Sequence, residues 1–189
     1  FTPTPSSSTT NPVNNFDQSN FSIMNSLNKE ITDNANANVK LKSVGRQALI
    51  IAKSKERKIA AKKLLESNPL LFLSQVMPAS TKKKLSSEAQ TYIETEKVIT
   101  GTVDVLHIDD FNNPDNSRYE YFLNADGNRY NLYTVGDLNM VSDTKIKANG
   151  YVLDNDVVIN TDNNNVQIVR SEIKTKNILT PDSVGNQRT

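Results

Sequence analysis

His107, Asp109 and Asp110 form the one place in the sequence where an imidazole stands beside carboxylates. Such side chains can bind zinc or transfer a proton. His107 is the only histidine among 189 residues, and the chain has no cysteine. The sequence therefore excludes disulfides, thiolate zinc sites, cysteine nucleophiles and any site that needs two imidazoles. We expect a protein that is not an enzyme, with no catalytic residue, no bound metal and no cofactor.

Two segments rich in Asp and Asn, 109–116 and 154–165, carry oxygen atoms of the kind that Ca²⁺ prefers. Neither has the spacing of an EF-hand loop. The same residue types are also favoured in tight turns. Turns are the favoured interpretation of both segments, with a calcium site as the alternative.

A basic stretch precedes an acidic one. Residues 40–100 hold thirteen Lys or Arg against five acids, whereas residues 101–189 hold eight against thirteen. This asymmetry indicates two layers that attract each other, a solvated face, or a basic face that binds an acidic domain or a cell-surface polymer. The candidate binding face consists of Lys53, Lys55, Arg57, Lys58, Lys62 and Lys63.

These lysines fall in residues 45–67, which are rich in good helix formers and predict a helix. Its apolar arc would comprise Ala48, Leu49, Ala52, Ile59, Ala60 and Leu64. The residues Asn68-Pro69 predict a cap and a short helix over 70–77, and a third helix is expected over about 81–94, capped by Ser80 or Thr81. Residues 43–95 thus read as a helical segment.

The Asn- and Ser-rich start, residues 1–42, is expected to be a disordered or flexible arm with at most a short helix at 22–31. At about residue 97 the apolar period changes to two, and Asp126-Gly127 is the strongest hairpin signal. Further turns are expected at Asn149-Gly150, Asp154-Asn155 and 162–165, although Gly150 can instead lie inside a bent strand. Five or six short strands after a helical layer predict an α+β fold with a small barrel or sandwich.

The runs NPLLFLSQVMP, GTVDVLHIDDF, GNRYNLYT and KIKANGYVLDNDVVI occur in this order within residues 46–189. In this order they resemble the N-terminal region of secreted bacterial gametolysin-like metallopeptidases. In that group a β-barrel of the oligonucleotide/oligosaccharide-binding (OB-like) type precedes a zinc catalytic domain. The resemblance implies an OB-like barrel over 96–175, a linker over 176–189 and a metallopeptidase domain beyond it as partner. It also implies a secreted or cell-surface protein. The chain has no HExxH motif, so it would be a non-catalytic pro or accessory region.

Such a region would assist folding of the peptidase domain, keep it latent by covering its cleft, or tether it at the surface. For latency the carboxylate of Asp109 or Asp110 would cover the zinc of the peptidase domain, and the basic helix would dock against that domain. A plain Asp-rich turn is the alternative for the two aspartates. Other functions left open are a structural subunit of an extracellular filament or surface layer that assembles through the N-terminal arm, and a carbohydrate- or nucleic-acid-binding module. The acidic barrel segment makes nucleic acid an unlikely partner. No apolar run is long enough for a membrane span.

Overall fold

The computed structural model describes residues 15–37, 44–109, 118–136, 140–161 and 165–169. Within these ranges five helices precede one mixed six-stranded sheet, which confirms the α+β class. None of the helices in these ranges combines the length and apolar character that crossing a bilayer requires.

The helices are α1 (Asn15–Asn36), α2 (Val44–Ser67), α3 (Pro69–Ser74), α4 (Ala79–Lys82) and α5 (Ser87–Gln90). The strands are β1 (Thr95–Ile108), β2 (Arg118–Ala125), β3 (Asn128–Val135), β4 (Lys145–Leu153), β5 (Asp156–Asn160) and β6 (Val166–Ile168).

Residues 1–14 and 38–42 of the expected flexible arm lie outside the described residues. Over residues 15–36, helix α1 corrects the expectation of at most a short helix at 22–31. It has 22 residues and buries Met24, Leu27 and Ile31, which share one helical face. Its many Asn and Ser residues are weak helix formers. The helix is stabilised instead by this apolar face, since Met24 packs with Ala60 and Leu64 of α2.

Helix α2 and the start of α3 form as the sequence predicts. Asn68 caps α3 by accepting a hydrogen bond from the Leu71 amide at 3.1 Å, and Pro69 occupies the first turn. The face that α2 buries differs from the predicted arc, because Leu49 and Ile59 are exposed. The buried residues are Ile50, Ser54, Arg57, Ala60, Ala61, Leu64 and Leu65.

The predicted third helix over 81–94 is wrong, since two one-turn helices stand in its place. Ser86 interrupts the run by accepting a hydrogen bond from the Ala89 amide, which makes it the cap of α5. The apolar residues Leu85, Ala89 and Ile93 are nevertheless buried, together with Ile31, Ile50 and Met77.

The strand pairings form a ring. The sheet order is β1-β2-β3-β5-β4-β6, and β1 pairs with β4 as well as with β2. All pairings are antiparallel except that of β3 with β5. β1 can join two neighbours because it is 14 residues long: Thr95–Thr102 pair with β4, and Thr102–Ile108 pair with β2.

Two glycines, Gly101 in β1 and Gly150 in β4, lie close to the backbone of a neighbouring strand. A Cβ on Gly101 would stand 2.5 Å from the Asn124 carbonyl oxygen, and one on Gly150 would stand 2.6 Å from that of Val158. Gly150 therefore lies inside β4, as the bent-strand alternative predicted, and not in a turn. The Asp126-Gly127 and Asp154-Asn155 turns are confirmed, with φ of 51° at Asp126 and 55° at Asp154.

The sheet has two apolar sides. Inside the ring lies a core of Ile99, Val103, Leu123, Ala125, Leu132, Ile146, Ala148, Val152, Val157 and Ile159. On the outside, Leu153 and Val158 pack with Phe72 of α3 and with α1 and α2. The helices therefore cover the β4–β5 side of the ring.

Candidate functional site

Part of the predicted basic face binds the sheet of the same chain. Lys58 Nζ lies 2.5 Å from Asp154 Oδ1, and Lys62 Nζ lies 3.1 Å from Asp156 Oδ2. Asp156 is buried and also accepts a hydrogen bond from Asn131 at 2.7 Å. These contacts are the attraction between a basic and an acidic layer that the charge asymmetry indicated.

The pKa of Asp154 reflects this contact. Burial by itself raises the pKa, but the hydrogen bond and charge of Lys58, with the charge of Lys62, outweigh it and hold the pKa below 3.8. Because the pKa is lowered in the folded state, the ionised carboxylate stabilises the fold at pH values above the ordinary pKa of an aspartate. That stabilisation is lost as the pH falls through the lowered value.

We expect Asp154→Asn to flatten the acid side of the stability profile. As the pH falls through the ordinary pKa range of an aspartate and below it, the wild-type protein should lose more unfolding free energy than the variant. The difference should be less than about 1 kcal/mol because the carboxylate is partly exposed and screened. Urea denaturation across this range measures the difference. Asp143→Asn is the control, since Asp143 also has a positive φ, of 68°, and should follow the wild type. Parallel curves for all three proteins would contradict the expectation.

The other three lysines of the predicted face have different surroundings. Lys53 lies between Glu30 of α1, at 3.5 Å, and Glu56, at 3.2 Å. Lys55 stands over the Tyr92 ring, 5.2 Å from its centroid. Lys63 is exposed beside a groove between α1 and α2. The six residues are therefore not brought together as one docking surface.

Arg57 is a correction to the predicted face, because its side chain is 0% exposed. Its guanidinium binds Glu94 with two hydrogen bonds, of 2.6 and 3.2 Å, and Glu94 is also 0% exposed. The same guanidinium donates to Asn28 of α1 and to the Gln75 carbonyl after α3. Arg57 is thus a structural centre that joins α1, α2, the end of α3 and the residue before β1.

Glu94 is the residue of this centre that the sequence did not single out. Besides Arg57, its carboxylate accepts a hydrogen bond from the Met77 amide at 2.7 Å. Lys82 donates to its backbone carbonyl at 2.8 Å. Burial lowers the pKa of Lys82, although the charge of Glu94 opposes that shift. The contacts of Glu94 with Arg57, Met77 and Lys82 hold the chain in place where the helical layer ends and β1 begins.

The second predicted site lies at the far end of β1. His107 Nε2 is 3.4 Å from Asp109 Oδ1, and both side chains are about half exposed. The His107 ring stacks on Tyr119 of β2, with centroids 4.5 Å apart. Asp110 lies outside the described residues. The arrangement presents one carboxylate and one imidazole at the surface, on the part of the sheet that the helices leave uncovered.

The aromatic side chains of β2 and β3 do not form one continuous face on which nucleic-acid bases could stack. Tyr121 and Tyr130 pack against the core inside the ring, and Tyr133 packs with the helices. Burial raises the pKa of Tyr133 to about 12, and the charge of Asp156 adds to the shift. Phe122 lies under the Arg129 guanidinium, 3.9 Å from the ring centroid, while Tyr119 is 59% exposed.

The described part of the chain contains no group of three His, Cys, Asp or Glu residues placed to hold a metal ion. In the second oxygen-rich segment, Asp154 and Asp156 bind lysines, and Asp154 forms a tight turn with Asn155. Of the first oxygen-rich segment, residues 110–116 lie outside the described ranges.

A groove of about 420 Å³ runs between α1 and α2 on the side away from the sheet contacts of Lys58 and Lys62. Leu27 and Ala60 form its buried floor, and the exposed side chains of Ile23 and Ile59 form its walls. Asn20, Ser26, Glu56 and Lys63 complete the lining.

Comparison of the chain with protein-family models, with curated proteins and with solved structures finds no match.

Proposed function

We propose that this chain is the non-catalytic pro or accessory region of a secreted gametolysin-like metallopeptidase, and that its ring of strands is an OB-like barrel. The order of strand pairing carries the proposal. An OB fold is a five-stranded Greek-key barrel, and here five strands pair in a closed circuit with β3 and β5 parallel. The glycines inside β1 and β4 fit the bends that such closure needs.

The position of the matching sequence runs supports the same assignment. The run GTVDVLHIDDF covers the second half of β1, and GNRYNLYT covers the hairpin turn and β3. KIKANGYVLDNDVVI covers β4, the following turn and β5. Three of the four runs that carry the resemblance thus belong to the ring itself, whereas NPLLFLSQVMP covers α3, in the helical layer that packs on the outside.

Asp109 is the group that we assign to latency. Its carboxylate is 53% exposed at the end of β1, on the uncovered side of the ring, and its contact with His107 is a weak surface pair. A carboxylate so placed can occupy the open position of a zinc ion in an adjoining domain and exclude water from it. Residues 15–36 favour this role over filament assembly through an arm, since they pack as a helix within the chain.

The test uses the full-length gene product. We expect an HExxH motif beyond Thr189, and we expect the Asp109→Ala/Asp110→Ala variant of the unprocessed product to cleave peptides at least about tenfold faster than the wild type, a change of about 1.4 kcal/mol. The control replaces two exposed helical acids, as Asp33→Ala/Glu88→Ala, and should leave latency unchanged. A latent product in which the aspartate variant stays latent contradicts the switch. A product without HExxH contradicts the family assignment.

A further inference from the structure

We propose that two copies of this chain pair in an antiparallel manner through the groove between α1 and α2. The pairing is independent of whether a catalytic domain follows. It concerns the outer face of the helical layer, which neither the sheet nor the Arg57 centre uses.

The exposed face of α2 carries a stripe of three apolar and two charged side chains. Leu49, Ala52, Glu56, Ile59 and Lys63 follow one another at intervals of three and four residues, the spacing that places side chains on one helical face. Leu49 is 44% exposed and Ile59 is 61% exposed, and Ile23 of α1 adds a further 47% exposed side chain beside Ile59. An apolar stripe bordered by polar residues is typical of a surface that packs on another helix.

The charges of Glu56 and Lys63 within the stripe favour a second copy of the chain as the partner that fills the groove. Glu56 and Lys63 lie at equal distances along α2 from the midpoint between Ile59 and Ala60. A twofold axis at that midpoint places Glu56 of each copy against Lys63 of the other, with Ile59 of each copy in the opposite groove. A parallel arrangement would instead place like charges together. The groove is therefore complementary to a second copy of itself in the antiparallel orientation.

Two further features allow this contact. Glu56 binds Lys53 within its own chain at 3.2 Å, but this is an exposed pair between neighbouring turns and contributes little, so Glu56 is available to the second copy. Helix α2 has 24 residues and is about 36 Å long, which gives room for an interface of ordinary size when α1 contributes beside it.

Sedimentation equilibrium of the 189-residue chain tests the pairing. We expect a monomer–dimer equilibrium that Ile59→Asp weakens at least about tenfold, while Val98→Asp, at a similarly exposed apolar side chain of β1, leaves it unchanged. Glu56→Lys and Lys63→Glu should each weaken the dimer by about tenfold, and the double variant should restore most of the affinity because it exchanges the two charges.

Three results would overturn the proposal. One is a chain that stays monomeric up to about 1 mM. Another is a dimer that Val98→Asp disrupts and Ile59→Asp does not. The third is a double charge variant no better than the single ones. The proposal also fails if the α1–α2 groove is protected from hydrogen exchange only in the full-length product, because an adjoining domain would then be its occupant.

Discussion

Arg57→Met is expected to lower the free energy of unfolding by about 3–5 kcal/mol. Breaking a buried ion pair by removing one partner leaves the other charge buried without compensation, and this costs more than the intact pair contributes. Here the group left without its partner is the carboxylate of Glu94, which is fully buried. It would keep the hydrogen bond from the Met77 amide and the charge of Lys82, whose Nζ lies 3.7 Å away. Asn28 and the Gln75 carbonyl would also lose their donor.

Urea denaturation followed by circular dichroism gives the measurement. Lys63→Met is the matched control on the same helix. At protein concentrations at which the chain is monomeric it should change stability by less than about 0.5 kcal/mol, because Lys63 is exposed. The double variant Arg57→Met/Glu94→Gln should recover part of the loss, since no unpaired charge then remains. If Arg57→Met costs no more than the Lys63 control, the ion pair is not the centre that holds the helices to β1.

The burial of Arg57 shows where local sequence patterns stop being informative. Ile50, Ser54, Arg57, Ala61 and Leu64 share a helical face as regularly as the predicted arc does. A pattern of apolar residues alone favours the arc with more aliphatic side chains, yet four of the six residues of that arc are exposed and only Ala60 and Leu64 are buried. The choice between the faces depends on Glu94, which lies 37 residues away, and no spacing rule connects the two. The same holds for α1, whose helix depends on packing with α2.

Features set by neighbouring residues were predictable. Asn68-Pro69 caps α3 because a side-chain oxygen and a fixed φ act within one turn. Asp126-Gly127 forms its hairpin because both residues accept a positive φ. Of the candidate site, the charge asymmetry correctly indicated attraction between layers, but it could not tell which lysines meet aspartates. Lys58 and Lys62 do so because the Asp154-Asn155 turn lies beside α2, and the packing of the helices on Leu153 and Val158 places it there.

The closure of the ring predicts a second large effect, at Gly101. Its Cβ as alanine would lie 2.5 Å from the Asn124 carbonyl oxygen and 2.9 Å from Leu123 Cδ1. Neither neighbour can move freely, because Asn124 belongs to the β2 backbone and Leu123 is fully buried in the ring core. We expect Gly101→Ala to destabilise the protein by about 1–3 kcal/mol, which is the usual cost of overpacking. The effect should lie at the upper end of this range because the closest atom is a backbone oxygen.

Two other glycines make this expectation specific to ring closure. Gly150→Ala should destabilise by a similar amount, because its Cβ would lie 2.6 Å from the Val158 carbonyl oxygen where β4 joins β5. Gly45→Ala should be neutral or stabilise by up to about 1 kcal/mol, since no atom lies within 4 Å of its Cβ and alanine is the better helix former. If Gly101→Ala changed the free energy of unfolding as little as Gly45→Ala, then β1 and β2 would not be in close contact at Gly101. The pairing of one long strand with both β2 and β4 would lose its structural basis, and with it the OB-like assignment on which the proposed function rests.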